Sequence, residues 1–248
     1  MDNIIASWCL SLNYGDRLTD YLIRKITKKP PIYISMDVKK EKVIGPGSIL
    51  NWCDEYCKAW TCGIANANDK INPKTKIYSV RGPITRNRAL MCGANCPPIF
   101  GDAGLLMPMF FMPTESVKYS VGVIPHWYDQ YDTMDFIEKK GFKFINVFDS
   151  IENFIADICS CEKILSSALH GIITADAYGV PANRLIVTDK IGGDGTKFHD
   201  HDLYVLGQKR NTWNVKDLMA RNPEEIKKMI EVKKPVFDME AILKARPF

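Results

Sequence analysis

Residues 163–187 read KILSSALHGIITADAYGVPANRLIV, and three patterns follow one another in them. Lys163 to Leu165 is a short apolar run of the kind a buried strand needs. Leu169 to Tyr178 carries small and apolar residues at helical spacing, and Gly179-Val180-Pro181 supplies a stop. Arg184 to Val187 is a second β-branched run. A strand, a helix and a strand within 25 residues leave no length for an antiparallel return, so the two strands run parallel with the helix as their crossover.

The alternation extends outward in both directions. Asn3 to Cys9, Pro31 to Ser35, Lys42 to Ile44, Lys76 to Val80, Val117 to Ile124 and Phe142 to Val147 read as further strands. Helical patterns lie between many of them, at Arg17 to Thr27, Pro83 to Met91, Tyr128 to Lys140 and Ser150 to Cys159, with Pro83 and Ser150 as start signals. The segment Gly104 to Glu115, cut by Pro108 and Pro113, interrupts the series before a fresh strand begins. The expected fold is α/β, two Rossmann-like halves with a cleft between them: residues 1–115, residues 116–208, and a helical tail over 209–248 that packs back on the body.

The 248 residues are 46% hydrophobic and 25% charged, which excludes a disordered or coiled-coil chain. A net charge of +4 is far from the clustered basic excess of a nucleic-acid binder, and no nucleic-acid partner is expected. Residues 209–248 hold ten Lys or Arg against six Asp or Glu, so the whole excess lies in the tail. Contact with a membrane is expected at most as a peripheral one, through Lys227, Lys228, Lys233 and Lys234, against the plainer reading of a solvated helical face. With no apolar run of about 18 residues and no basic-headed apolar leader, the expected location is the cytoplasm. The eight cysteines suit that compartment as reduced thiols. Cys53, Cys57, Cys62, Cys92 and Cys96 have spacings too loose to argue for zinc, and no metal is expected.

In parallel sheets ligands gather beyond the carboxyl ends of the strands, so the loops there are where chemistry is sought. Asn13-Tyr14-Gly15-Asp16 follows the first strand, Asp16 either capping a helix or holding a hydroxyl. Gly45-Pro46-Gly47-Ser48 follows the third, without the Lys-Ser/Thr of a phosphate loop. Arg81 ends the strand Lys76 to Val80 just before a helix N-terminus, a pairing that suits an anion, with an internal carboxylate partner as the equal alternative. His126 ends the first strand of the second half. Ser166, Ser167 and His170 lie between a strand end and a helix start, where a histidine beside a bound phosphate keeps the proton a general acid needs. Lys197 stands in the loop Gly192 to Asp200.

These motifs, with Phe100-Gly101-Asp102-Ala103-Gly104-Leu105-Leu106-Met107-Pro108, Asp176-Ala177-Tyr178-Gly179-x-Pro181 and Lys197-Phe198-x-Asp200, occur in the order that resembles the polysaccharide pyruvyl transferase family. The resemblance implies a compact fold like that of GT-B glycosyltransferases, phosphoenolpyruvate as co-substrate with no cofactor, and a sugar of a surface glycan, in some cases lipid-linked, as acceptor. It implies His170 as general acid, with His126 binding the donor phosphate or activating a hydroxyl. Arg81, Ser166, Ser167 and Lys197 would hold the donor. Asn13, Gly15, Asp16, Gly47, Ser48 and Asp102 would face the acceptor in the first half. Many family members carry an arginine two residues before the histidine, whereas Ala168 stands there in this chain, so that Arg81, Arg184 or Lys197 would have to hold the donor carboxylate. Two other readings of the same residues are a glycosyltransferase using a sugar nucleotide and a non-catalytic glycan- or anion-binding relative.

Overall fold

The computed structural model describes residues 3–114 and 116–248, and the chain folds as two units. Met1–Leu106, Gly193–Gln208 and Val236–Phe248 make the first, and Met107–Gly192 with Lys209–Pro235 the second. Glu115, at which the boundary between the halves was drawn on the sequence, lies outside the described residues.

In the first unit, β1 (Ile5–Ser7), α1 (Tyr14–Thr27), β2 (Ile32–Tyr33), β3 (Lys42–Ile44), β4 (Cys57–Cys62), β5 (Lys76–Val80) and α2 (Pro83–Met91) follow in order. Their strands form a parallel sheet ordered β2-β1-β3-β4-β5. In the second unit, β6 (Tyr119–Ile124), α3 (Gln130–Lys140), β7 (Lys143–Phe144), α4 (Ile151–Cys159), β8 (Cys161–Ser166), α5 (Leu169–Ala177) and β9 (Ala182–Ile186) follow in turn. After α6 (Thr196–Leu206) the chain returns to this unit with β10 (Thr212–Asn214). That sheet, also parallel, runs β7-β6-β8-β9-β10. Counted within each unit both orders are 2-1-3-4-5, so one winding is used twice without any repeat in the sequence.

Strand β4 and helix α6 are absent from the sequence reading. β4 was obscured by its cysteines: Cys57 and Cys62 are fully buried and behave as small apolar core residues beside Ile44, Ala59 and Val80. The strand is also irregular, its register against β5 shifting on both sides of Trp60, with Thr61 at φ 63. Its Thr61 amide takes the Ser79 hydroxyl as acceptor at 3.1 Å. Gly192, Gly193 and Gly195 at its start give helix α6 the composition of a loop, and Gly195 at φ 88 is its N-cap. It packs in the first unit, not with the half that precedes it in sequence.

The tail after Gln208 is divided as well. It begins with a strand, β10, where only helices were expected, and continues through α7 (Val215–Met219), α8 (Pro223–Met229) and α9 (Met239–Lys244). In the second unit, Lys163 Nζ donates to the carbonyls of Lys227 and Ile230 at 2.8 and 2.7 Å, closing the end of α8. In the first, Trp60 Nε1 donates to Ile242 O of α9 at 2.9 Å. Lys227 is paired with Glu162 and Lys233 with Glu231, each at 2.7 Å. No helix among the described residues is long and apolar enough to cross a membrane.

Candidate functional site

In a sheet wound 2-1-3-4-5 the order reverses between the first and third strands, and the loops leaving those two strands diverge to opposite faces. The gap they leave at the carboxyl ends is where such folds bind ligands. Each unit has one such point.

In the second unit it lies between β6 and β8, and the loops that flank it are those of His126 and of Ser166 to His170. A hydrogen bond joins them directly: His126 N donates to Ser167 Oγ at 2.8 Å. Ser166 is fully buried, its hydroxyl donating to Ala168 O at 2.8 Å and accepting from Ala168 N at 3.1 Å, and so fixes the turn into α5. A side chain at Gly171 would meet Ser166 Oγ at 2.5 Å, so the first turn of α5 sits as close to the strand end as a glycine permits. His170, half-buried, stands in that first turn, and its carbonyl accepts from Thr174 Oγ1 at 2.7 Å. The two serines thus shape the switch point, and the histidines are the groups it presents.

The His126 ring is oriented by its own loop. Its Nδ1 accepts the Tyr128 amide at 3.3 Å. In the neutral ring that places the proton on Nε2, making Nε2 a donor. The ring stacks on Trp127 and Tyr128, at 5.9 and 5.4 Å between centroids.

In the first unit the switch point lies between β1 and β3. The loops there are those of Asn13 to Asp16 and Gly45 to Ser48. Asn13, not Asp16, caps α1, its side chain accepting from Gly15 N at 3.4 Å. Asp16 accepts the Ser11 hydroxyl from within the same loop. Gly47, at φ 147, takes a backbone shape that favours glycine. Gly45 serves packing rather than a ligand, since a Cβ there would stand 2.4 Å from Thr19 Oγ1 of α1. Asp102 is fully buried and accepts from Gly104 N at 2.9 Å, capping the 3-10 turn Ala103–Met109.

Arg81 takes the second of the two roles open to it. It is fully buried, donating to Ser48 Oγ at 2.8 Å and Ile64 O at 2.6 Å, with Asp200 Oδ2 3.3 Å from its Nε. Ser48 is therefore a partner of Arg81. Lys197, half-buried at the start of α6, belongs with Arg81 to the first unit, while Ser166, Ser167 and both histidines belong to the second. Arg184, one of the cations that the resemblance leaves for the donor carboxylate, stands on β9 in register with Ser166 of β8. Strand pairing is the signal that singles it out. Ala168, in the family's arginine position, is buried.

All eight cysteines are free thiols, and burial pushes Cys96 up to about 11 and Cys161 up to about 12. Among the described residues no group of three or more His, Cys, Asp or Glu is arranged to hold a metal ion.

Residues 69–186 match the family model "Polysaccharide pyruvyl transferase". Over this stretch the chain is similar to that family, which is one of transferases. The match spans β5 through β9, and so includes both histidine loops of the second switch point. Among curated proteins, "Uncharacterized protein L143" of Acanthamoeba polyphaga mimivirus is 28% identical over 243 residues, covering 94% of this chain and 83% of that protein. That similarity extends past the family match to the Gly47 loop and to α6.

Proposed function

We propose that the chain transfers pyruvate from phosphoenolpyruvate to two hydroxyls of a glycan sugar, giving a cyclic ketal and inorganic phosphate. The observation that carries this reading is His170 in the first turn of α5 at the second unit's switch point, within the region the family model matches. His170 delivers a proton to the methylene carbon of the enol phosphate, and the adjoining carbon gains oxocarbenium character. One sugar hydroxyl adds there and loses its proton. Phosphate then leaves with its bonding electron pair, and the second hydroxyl adds and loses its proton to close the ring. A positioned acid contributes about 10²–10⁴ in rate to such a step.

The tautomer set by Tyr128 makes His126 Nε2 a donor, which favours contact with a phosphate oxygen over the activation of a hydroxyl. Arg184 takes the carboxylate, as the cation level with Ser166 in the second unit. Arg81 has no part in donor binding, because its guanidinium is consumed internally.

Phosphorus NMR of the protein with phosphoenolpyruvate and a mixture of oligosaccharides tests the reaction. Inorganic phosphate should grow in only when sugar is present, and His170→Ala should abolish the growth while the donor still raises the melting temperature. Stabilisation by sugar nucleotides but not by phosphoenolpyruvate would replace this reading with glycosyl transfer.

A further inference from the structure

The second unit carries an exposed aromatic surface larger than the support of the His126 ring requires. Trp127, Tyr128 and Tyr131 are 40, 47 and 91% exposed, all on the segment from the end of β6 into α3. Trp127 and Tyr128 lie ring on ring, with centroids 3.5 Å apart. Large aromatic rings are ordinarily the most costly side chains to leave in water. Three of them at the ligand end of a parallel sheet form a platform.

Beside the same segment is a cavity of about 770 Å³, lined by Asp132 with Thr188, Asp189, Lys190, Asn214 and Lys216, among others. It sits at the carboxyl ends of β9 and β10, and its size falls within the roughly 300–1,000 Å³ range of small-molecule sites. Lys190 and Asp132 form an ion pair at 2.7 Å in its wall. Thr188 Oγ1 donates to Asp129 Oδ1 at 2.5 Å, tying the cavity wall to the aromatic segment. Asp129 is fully buried, and its Oδ2 has no hydrogen-bond partner among the described residues. Its amide donates to His126 O at 2.7 Å and its carbonyl accepts from Thr133 Oγ1 at 2.6 Å, so the platform's backbone is anchored from both sides.

We infer that this platform and cavity hold the sugar residues of the glycan acceptor. The inference rests on the reading that a glycan is the acceptor, and moves its binding site to the second unit. A pyranose ring offers an apolar face of C–H groups and a rim of hydroxyls, which aromatic faces and a mixed lining of carboxylate, amide and ammonium groups complement. Asp132 and Asp189 balance Lys190 and Lys216 in the lining, so the cavity has no excess cation to draw the phosphate of phosphoenolpyruvate or of a sugar nucleotide. In the sheet, β8 lies between β6 and β9, so the His170 loop leaves the strand flanked by those that bear the platform and the cavity.

The test titrates the full chain with neutral and uronate-containing oligosaccharides, without donor, reading tryptophan fluorescence and saturation-transfer NMR. At least one neutral oligosaccharide should bind, and Trp127→Ala and Asp132→Asn should each weaken it 10-fold or more. Tyr131→Ala, at a side chain too exposed to affect folding, should weaken it several-fold. The thermal shift given by phosphoenolpyruvate should stay as in the unaltered protein in Asp132→Asn and Tyr131→Ala, neither of which touches the His126 ring. Absence of binding by every oligosaccharide, or unchanged affinity in Trp127→Ala and Tyr131→Ala, would overturn the assignment. Phosphate release with sugars is read separately, so pyruvyl transfer stands or falls on its own.

Discussion

Arg81 and Asp200 form an ion pair without solvent access, Nε to Oδ2 at 3.3 Å, between the end of β5 and the first turns of α6. The carboxylate is used on both oxygens, Oδ1 accepting from Thr85 N at 3.0 Å and Oδ2 from Thr85 Oγ1 at 2.6 Å. A side chain at Gly82 would meet the Asp200 carbonyl at 2.1 Å. The Arg81-Gly82-Pro83-x-Thr85 block and the Lys197-x-x-Asp200 block are thus two sides of one joint. It fastens a helix from late in the sequence onto the first sheet.

Breaking that joint on one side should be severe. Asp200→Ala leaves a buried guanidinium with one ionic partner fewer, a change worth about 3–5 kcal/mol, and urea unfolding should show a loss of that size. Replacing both members by apolar residues, as in Arg81→Met with Asp200→Leu, should be less harmful than either single change. A double variant as unstable as the sum of the singles would mean that the pair is not coupled.

The bond from His126 N to Ser167 Oγ makes a second prediction. Ser167→Ala leaves a partly buried amide donor without its acceptor, which costs about 1 kcal/mol and up to about 3 if water does not reach it, and it frees the loop that orients the His126 ring. Stability measured by urea should fall by that amount, and turnover should fall with it. Ser166→Ala should cost at least as much, since that hydroxyl both donates and accepts across the turn into α5. Unchanged stability in Ser167→Ala would mean the amide finds water instead.

The pattern of apolar runs made the parallel α/β class legible, because Lys42 to Ile44, Lys76 to Val80 and Pro83 to Met91 have the bounds their composition suggests. It failed at Cys57–Cys62, where cysteines that fill a core resemble cysteines that bind metal until burial is known. Helix α6 was hidden by glycines at its start, and its place in the first unit is set by Asp200, a contact across more than 100 residues that no local pattern records. For the candidate site, the strand-end rule leads to the loops at both switch points, while residue type alone leaves the partner of Arg81 open. An arginine near a helix start looks the same whether its partner is a ligand or a buried aspartate. Arg184 is one of three cations the sequence leaves for the carboxylate, and only strand register brings it level with Ser166.

That register gives a third prediction. A charge-assisted hydrogen bond to a carboxylate is worth about 1.5–3 kcal/mol, or roughly 10- to 100-fold in affinity. Arg184→Ala should raise the KM for phosphoenolpyruvate by that factor with a smaller effect on kcat, and Arg184→Lys should restore part of it. Equal KM values in wild type and Arg184→Ala would return the carboxylate to another cation.

The last prediction concerns acid. Glu41, between Lys76 and Lys58 at the first sheet's edge, is held at about 2 against an ordinary 4.5, chiefly by its hydrogen bond to Lys76 and then by that to Lys58. A carboxylate depressed in the folded state stabilises it fully above the unfolded value, and the contribution drains away as pH falls from about 4.5 to about 2. The carboxylate is open to solvent, so salt screens the effect. In low salt Glu41→Gln should therefore flatten the fall of stability between those pH values and leave the slope above pH 5 unchanged. Parallel curves for the variant and the wild type across that window would show that the pair forms equally in the unfolded chain.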